Sequence, residues 1–196
     1  MAAVTIARMA FTVGDHEVHP LTADDVTRML DAGIIDGKRV ELLRGVLLER
    51  PVSNPPHAEI VMRLFEWLAA GFIAHAYAVR LDSDFVVADS TSIPRPDVAV
   101  VEHRSYMDAH PSQALLLIEV SYSTLRTDRD IKAALYAESL VPEYWIVDVD
   151  ARGIRVFTEP RAGEYRHTRM VSDGTVTPGC FEIEPLDLAD LFAGLG

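Results

Sequence analysis

Apolar residues recur along this chain with two periods, and the elements follow from where one period gives way to the other. Ile60, Leu64, Leu68 and Phe72 are spaced by four, with Val61 and Phe65 beside them, which predicts an amphipathic helix from His57 to about Ala74. Thr22, three residues before Asp25, has the form of a capping box; it opens a shorter helix that runs to Asp31 and stops at Gly33. Between the two, Arg39–Leu43 and Val46–Arg50 are short apolar-rich runs separated by Arg44-Gly45, a hairpin signal, and Pro51, Pro55 and Pro56 end the pair. Tyr77–Leu81, Phe85–Ala88 and Asp97–Val101 are rich in β-branched residues and punctuated by Asp, Ser, Thr and Pro, so all three read as strands.

Ala114–Ser121 is almost continuously apolar and holds one carboxylate, Glu119, as in a central strand covered on both faces. A helix then starts near Thr127 or Asp128 and reaches about Leu140, with Ile131, Leu135 and the alanines on its apolar face. Tyr144–Val149 is another buried-type strand. Ile154–Thr158 and Tyr165–Val171 form a peripheral antiparallel meander with turns at Arg152-Gly153 and around Gly163, and Leu186–Phe192 a last helical turn. The order predicts an α/β (α+β) fold: a mixed central sheet flanked by helices, with an N-terminal hairpin and a C-terminal β-meander. Residues 1–21, with one early arginine at Arg8, read as a flexible lead-in, and 22–196 as a single domain.

Composition narrows the function classes. No apolar run approaches the roughly 20 residues a bilayer span needs, so no membrane anchor is expected. The single Cys180 has no disulfide or zinc partner, which suits a reducing cytoplasm. A net charge of −12 works against any polyanionic partner, because a nucleic acid would be repelled at long range.

The candidate chemistry lies in three segments. Asp97 directly follows Pro96 at the start of an apolar strand, and Glu119 sits within the next apolar run; on neighbouring strands the two could converge on one hard cation. Lys132 is about one turn into the following helix, and Asp128, Lys132 and Tyr136 share a face by their four-residue spacing. Lys38 and Lys132 are the only lysines among 18 basic residues, so a lysine retained beside two acids hints at chemistry that arginine cannot perform. Each residue also has a plainer reading. Asp97 could cap a strand, Lys132 could be only the salt-bridge partner of Glu119, and Tyr136, Tyr144 and Trp145 read as core and cleft wall. His57, after two prolines, could cap, pack or touch a phosphate.

These residues resemble the PD-(D/E)XK nuclease superfamily, and within it the Uma-type restriction endonuclease family of bacteria. Pro96-Asp97 is similar to the PD motif, and Glu119-Val120-Ser121 to the (D/E)XK strand with its lysine relocated to Lys132. Val40-Glu41-Leu42, Gly45, His57, Ser123-Thr124, Asp128, Tyr136 and Val141-Pro142-Glu143-Tyr144-Trp145 extend the likeness over roughly Thr22 to Phe192. The resemblance implies a metal-dependent endonuclease acting on nucleic acid, with DNA as the expected substrate. Asp97, Glu119 and the Val120 carbonyl would hold Mg²⁺ or Mn²⁺, Glu41 is a further candidate ligand, and Lys132 would handle the proton of the nucleophile. Without a cation the two acids are expected to repel each other. Arg95, Arg126 and Arg129 are expected to form a positive rim that a homodimer would double, giving weak, salt-sensitive binding. The rival is a non-enzymatic interaction or regulatory module on the same fold, its acid-lysine cluster structural.

Overall fold

The computed structural model describes residues 12–13, 15–37, 39–71 and 77–195. Much of the expected lead-in, Arg8, Lys38 and the far end of the long helix at Phe72–Ala74 lie outside the described residues. The chain forms two compact units, one running up to Arg50 and including Asp89–Ser92, the other comprising Pro51–Ala88 and the chain from Ile93 onward.

In the first unit β1 (Thr12–Val13) pairs antiparallel with β2 (His16–Glu17). Helix α1 (Ala23–Asp31) begins as its sequence predicts: Asp25 N–H donates to Thr22 Oγ1 at 3.2 Å while Thr22 N–H donates to Asp25 Oδ2 at 2.9 Å. This reciprocal cap satisfies two amides that the helix leaves unbonded and contributes about 1 kcal/mol. Strands β3 (Val40–Leu43) and β4 (Val46–Glu49) form the expected hairpin. Arg44 and Gly45 both take positive φ, 52° and 81°, the two-residue turn whose twist matches that of the strands. Any side chain at position 45 would also meet Pro20, 2.3 Å from where its Cβ would lie. Glu41 lies on β3 opposite Leu48 and is buried.

The second unit carries helix α2 (Pro55–Gly71), whose prolines occupy the first turn, where a missing N–H costs nothing. It also carries β5 (Tyr77–Leu81), β6 (Val98–Glu102), β7 (Leu116–Ser121), a composite helix, β8 (Glu143–Asp148), β9 (Gly153–Arg161) and β10 (Glu164–Val171). These strands make one sheet in the order β10-β9-β8-β7-β6-β5. Only β7 and β8 are parallel, since only they are joined by a helical crossover; the other neighbours are antiparallel. The meander therefore continues the central sheet as its outer strands. The composite helix is α3 (Leu125–Thr127), a π-helical turn at Asp128–Lys132, and α4 (Ala133–Glu138). A small ladder of β11 (Thr175–Val176) and β12 (Leu186–Asp187) leads into α5 (Leu188–Leu191).

Alternation along the strands sorts side chains to two faces. Val98, Val100, Leu116, Ile118, Val120, Trp145 and Val147 pack with Ile60, Leu64 and Leu68 of α2 and with α5 in the main core. The intervening positions, Ala99, Leu117, Glu119, Ser121 and Tyr144, face the opposite way. One expected strand is absent: Phe85–Ala88 joins no ladder, although Phe85 and Val87 are buried and Val86 is exposed. Its amides bond to loops instead, Phe85 N–H to Pro94 O and Val86 N–H to Pro111 O, both at 2.9 Å. A strand-like alternation thus arises from a loop whose backbone partners are prolines, which accept but cannot return a hydrogen bond.

Candidate active site

Asp97 stands immediately before β6, and the register of that strand explains its surroundings. Val98 pairs with Ile118 of β7, so continuing the ladder by two residues sets Pro96 opposite Val120. Proline has no N–H, and the ladder stops there. The Val120 amide donates instead to the Asp97 carboxylate, reaching Oδ2 at 2.7 Å. Because the N–H and C=O of one strand residue point to the same edge, the Val120 carbonyl also turns toward β6, opposite a residue with no proton to offer it. The Pro-Asp pair therefore opens the sheet at the point where a carboxylate and a main-chain carbonyl come together.

His57, in the first turn of α2, adds its Nε2 at 3.2 Å from the same Asp97 Oδ2. Its Nδ1 lies 2.9 Å from Ser53 Oγ, and its backbone N–H donates to Asn54 Oδ1 at 2.9 Å, so the ring is held at both ends of its turn. A carboxylate oxygen only accepts, so the proton resides on Nε2. Burial tends to raise the Asp97 pKa, but hydrogen bonding and charge from His57, the Val120 amide and Lys132 outweigh it and hold the carboxyl below its ordinary value. Both contacts fall on Oδ2; neither takes Oδ1.

Glu119, 3% exposed, is the neighbour of Val120 on β7. Its Oε1 accepts from Lys132 Nζ at 3.0 Å and from Tyr136 Oη at 2.8 Å. Lys132 Nζ also lies 3.6 Å from Asp128 Oδ1, and Asp128 Oδ2 accepts from Ser121 Oγ at 2.5 Å and Thr124 Oγ1 at 2.6 Å. Asp128 thus ties the helix start to the end of β7 and places the ammonium. Four residues of α-helix overshoot a full turn by about 40°. The wider π turn, marked by Ala133 N–H donating to Asp128 O five residues back, takes up that overshoot, so Asp128, Lys132 and Tyr136 all stay turned to the sheet. The Asp128 carbonyl also accepts from Tyr144 Oη at 3.2 Å. Burial and the nearby acids push the Tyr144 pKa well up, keeping that hydroxyl a donor.

Asp97, Glu119, Val120 and Lys132 are brought together at the carboxyl end of β7, whereas Glu41 belongs to β3 of the first unit. The expected repulsion between the acids is corrected: each already has a cationic or imidazole partner of its own, His57 on Asp97 and Lys132 on Glu119. The expected arginine rim is also corrected. Arg95 is ion-paired with Asp84 at 2.6 Å and Arg129 with Asp130 at 2.7 Å, which leaves exposed Arg126 as the member of the three with no ion pair among the described residues. Tyr136, Tyr144 and Trp145 are fully buried and act as core, not as a platform for bases. Sequence reasoning missed the parts of Ser121, Thr124 and Ser53; the one legible signal was two hydroxyls seven and four residues before an acid at a helix start.

Among the described residues no group of three or more His, Cys, Asp or Glu is arranged to hold a metal ion; a cation here would rest on two carboxylates and the Val120 carbonyl, a donor set that suits a hard ion keeping several waters. No helix of the described residues is long and apolar enough to cross a membrane.

Comparison with known proteins bears on the fold and the family. A solved structure described as a putative nuclease belonging to DUF820, from Anabaena variabilis ATCC 29413, superposes with a TM-score of 0.67 at 16% identity. The match covers 88% of this chain and 98% of that one, and at such identity it shows the fold. No curated protein matches the chain. A family model described as "Uma2: Putative restriction endonuclease" matches residues 24–189, and the chain belongs to that family.

Proposed function

We propose that the protein is a metal-dependent endonuclease that hydrolyses nucleic-acid phosphodiesters, with Asp97, Glu119 and Lys132 as its catalytic residues. The observation that carries this reading is the opened end of the β6–β7 ladder, where the Asp97 carboxylate bonds the amide next to Glu119 and Lys132 lies on Glu119. Asp97, Glu119 and the Val120 carbonyl would hold Mg²⁺ or Mn²⁺. Such an ion supplies charge neutralisation at the phosphate and acidifies water. His57 and the Val120 amide orient Asp97 by occupying Oδ2. Tyr136 and Lys132 orient Glu119, and the lysine, held in a buried pocket with two acids, is the group placed to take or return a proton. DNA as the substrate, a homodimer as the working form and the cytoplasm as its place complete the proposal, and they rest on the family likeness and the lone cysteine.

One observation favours the rival reading of a binding module: the charges of the cluster already compensate one another, with Lys132 between Glu119 and Asp128. A Mn²⁺ titration by calorimetry separates the two. Binding that falls sharply in both Asp97→Asn and Glu119→Gln, joined to cleavage of plasmid or oligonucleotide in the wild type, supports the nuclease; equal affinity in all three proteins leaves only the module.

A further inference from the structure

We infer that Arg80, Arg104 and Tyr106 form a binding site for the phosphodiester backbone of one nucleic-acid strand, beside the acid centre. Val79 and Leu81 pack toward the main core, so the alternation of β5 turns Arg80 to the face that carries Ala99 and Glu119. Arg80 pairs with Ala99, which sets it one strand over from Asp97 and two residues along, roughly 8 Å between Cα atoms by strand geometry. Its guanidinium carbon lies 5.0 Å from the centre of the Tyr106 ring, and that of Arg104 lies 4.8 Å from the same centre. Tyr106 is itself fixed, its hydroxyl donating to Glu102 O at 3.0 Å, and Arg80 is steadied by Ser83 Oγ at 3.3 and 3.2 Å.

Two guanidinium groups over one ring distinguish this group. In an acidic chain, Arg28, Arg44, Arg63, Arg95 and Arg129 are each ion-paired to a carboxylate. Arg80 and Arg104 form no ion pair among the described residues: two like charges share one aromatic ring, and the Glu102 carboxylate attracts Arg104 only from beyond ion-pair distance. Cation–π attraction holds each only weakly at an exposed site, and their mutual repulsion is relieved when an anion approaches. Guanidinium is weakly hydrated and matches phosphate in a bidentate fork, so the anion these two select is a phosphate oxygen pair. A strand with one phosphate at the acids would present another, about one or two nucleotides away, to this group. The site also answers the objection raised by the net charge of −12: the attraction is local, and it lies on the face of the sheet where the chemistry is placed.

The inference rests on the endonuclease reading, and its test is arranged to fail separately. Binding of a short fluorescein-labelled single-stranded oligonucleotide to the full chain is followed by anisotropy in EDTA, between about 50 and 200 mM salt. Arg80→Gln and Arg104→Gln, with unchanged melting temperatures, should each weaken binding about fivefold or more and flatten the plot of log K against log salt by about 0.7, one phosphate contact on a single strand. Arg104→Lys should keep the salt slope. Affinity and slope that are indifferent to both glutamine variants, or a wild type that does not bind, overturn the site whatever the cleavage assay shows. Arginine-dependent binding in a protein that never cleaves keeps the site and overturns the catalytic reading alone.

Discussion

The parallel pair β7 and β8 carries buried carboxylates at both ends, and the two ends treat them differently. At the end where Leu116 meets Glu143, Glu143 is 2% exposed and each oxygen has its own neutral donor: Trp145 Nε1 at 2.6 Å on Oε1 and the Gly179 amide at 2.7 Å on Oε2. The neighbouring Cys180 thiol is pushed up to about 12 by burial and by Glu143, and so stays protonated. At the other end, the donors to Asp97 and Glu119 include a histidine and a lysine, groups that can themselves carry or exchange a proton. Burial of an acid is therefore no mark of chemistry. An acid whose two oxygens are both used by neutral donors clasps the fold, as Glu143 clasps the segment at Gly179. Acids with titratable partners, as at the carboxyl end of β7, are the ones that the proposed function reads as binding a ligand.

Four experiments test that contrast. The largest effect is expected at the structural end: Glu143→Ala strands the Trp145 indole and the Gly179 amide, each costing about 1–3 kcal/mol, so urea denaturation should show a loss of roughly 4 kcal/mol. Mn²⁺ affinity of the folded fraction should be unchanged; a stability loss below about 1 kcal/mol would make Glu143 no clasp at all.

Next comes Lys132. Arg and Met in its place should both leave Mn²⁺ binding intact yet slow single-turnover cleavage at saturating metal by about a hundredfold or more, because neither can exchange a proton near neutral pH. A near-wild-type rate for Lys132→Arg would assign the residue to charge neutralisation only.

Glu119→Gln should destabilise the metal-free protein by about 1–3 kcal/mol, since it removes the nearer of the two carboxylates beside a buried ammonium. Adding Lys132→Met should recover most of that loss. If the double variant is no more stable than Glu119→Gln alone, the pair is not what stabilises this end.

The smallest effect is expected at Pro96. Pro96→Ala restores an N–H opposite the Val120 carbonyl and should lower Mn²⁺ affinity by less than about tenfold while leaving stability within about 1 kcal/mol. Unchanged calorimetric affinity would show that the carbonyl takes no part in holding the ion.

Local sequence determined much of this protein by itself. The Thr22–Asp25 cap, the Arg44-Gly45 turn and the four-residue apolar spacing of α2 act between residues close in the chain, so their outcome needs no knowledge of the rest. Asp97, Glu119 and Lys132 were legible for a related reason: acids in apolar strands and a rare lysine stand out against their neighbours. What only tertiary structure decided depends on partners far along the chain. Phe85–Ala88 has the pattern of a strand but meets the loop carbonyls of Pro94 and Pro111, so it forms no ladder. The partners that set Asp97 and Lys132 come from α2, β7 and a π turn, none of which periodicity specifies. The same holds for charge: sequence counts arginines near a motif, but whether a guanidinium faces a carboxylate, as Arg95 does, or an aromatic ring, as Arg80 does, is set by which distant segment the fold brings to it, and a cation's field reaches outward only where no adjoining carboxylate has cancelled it.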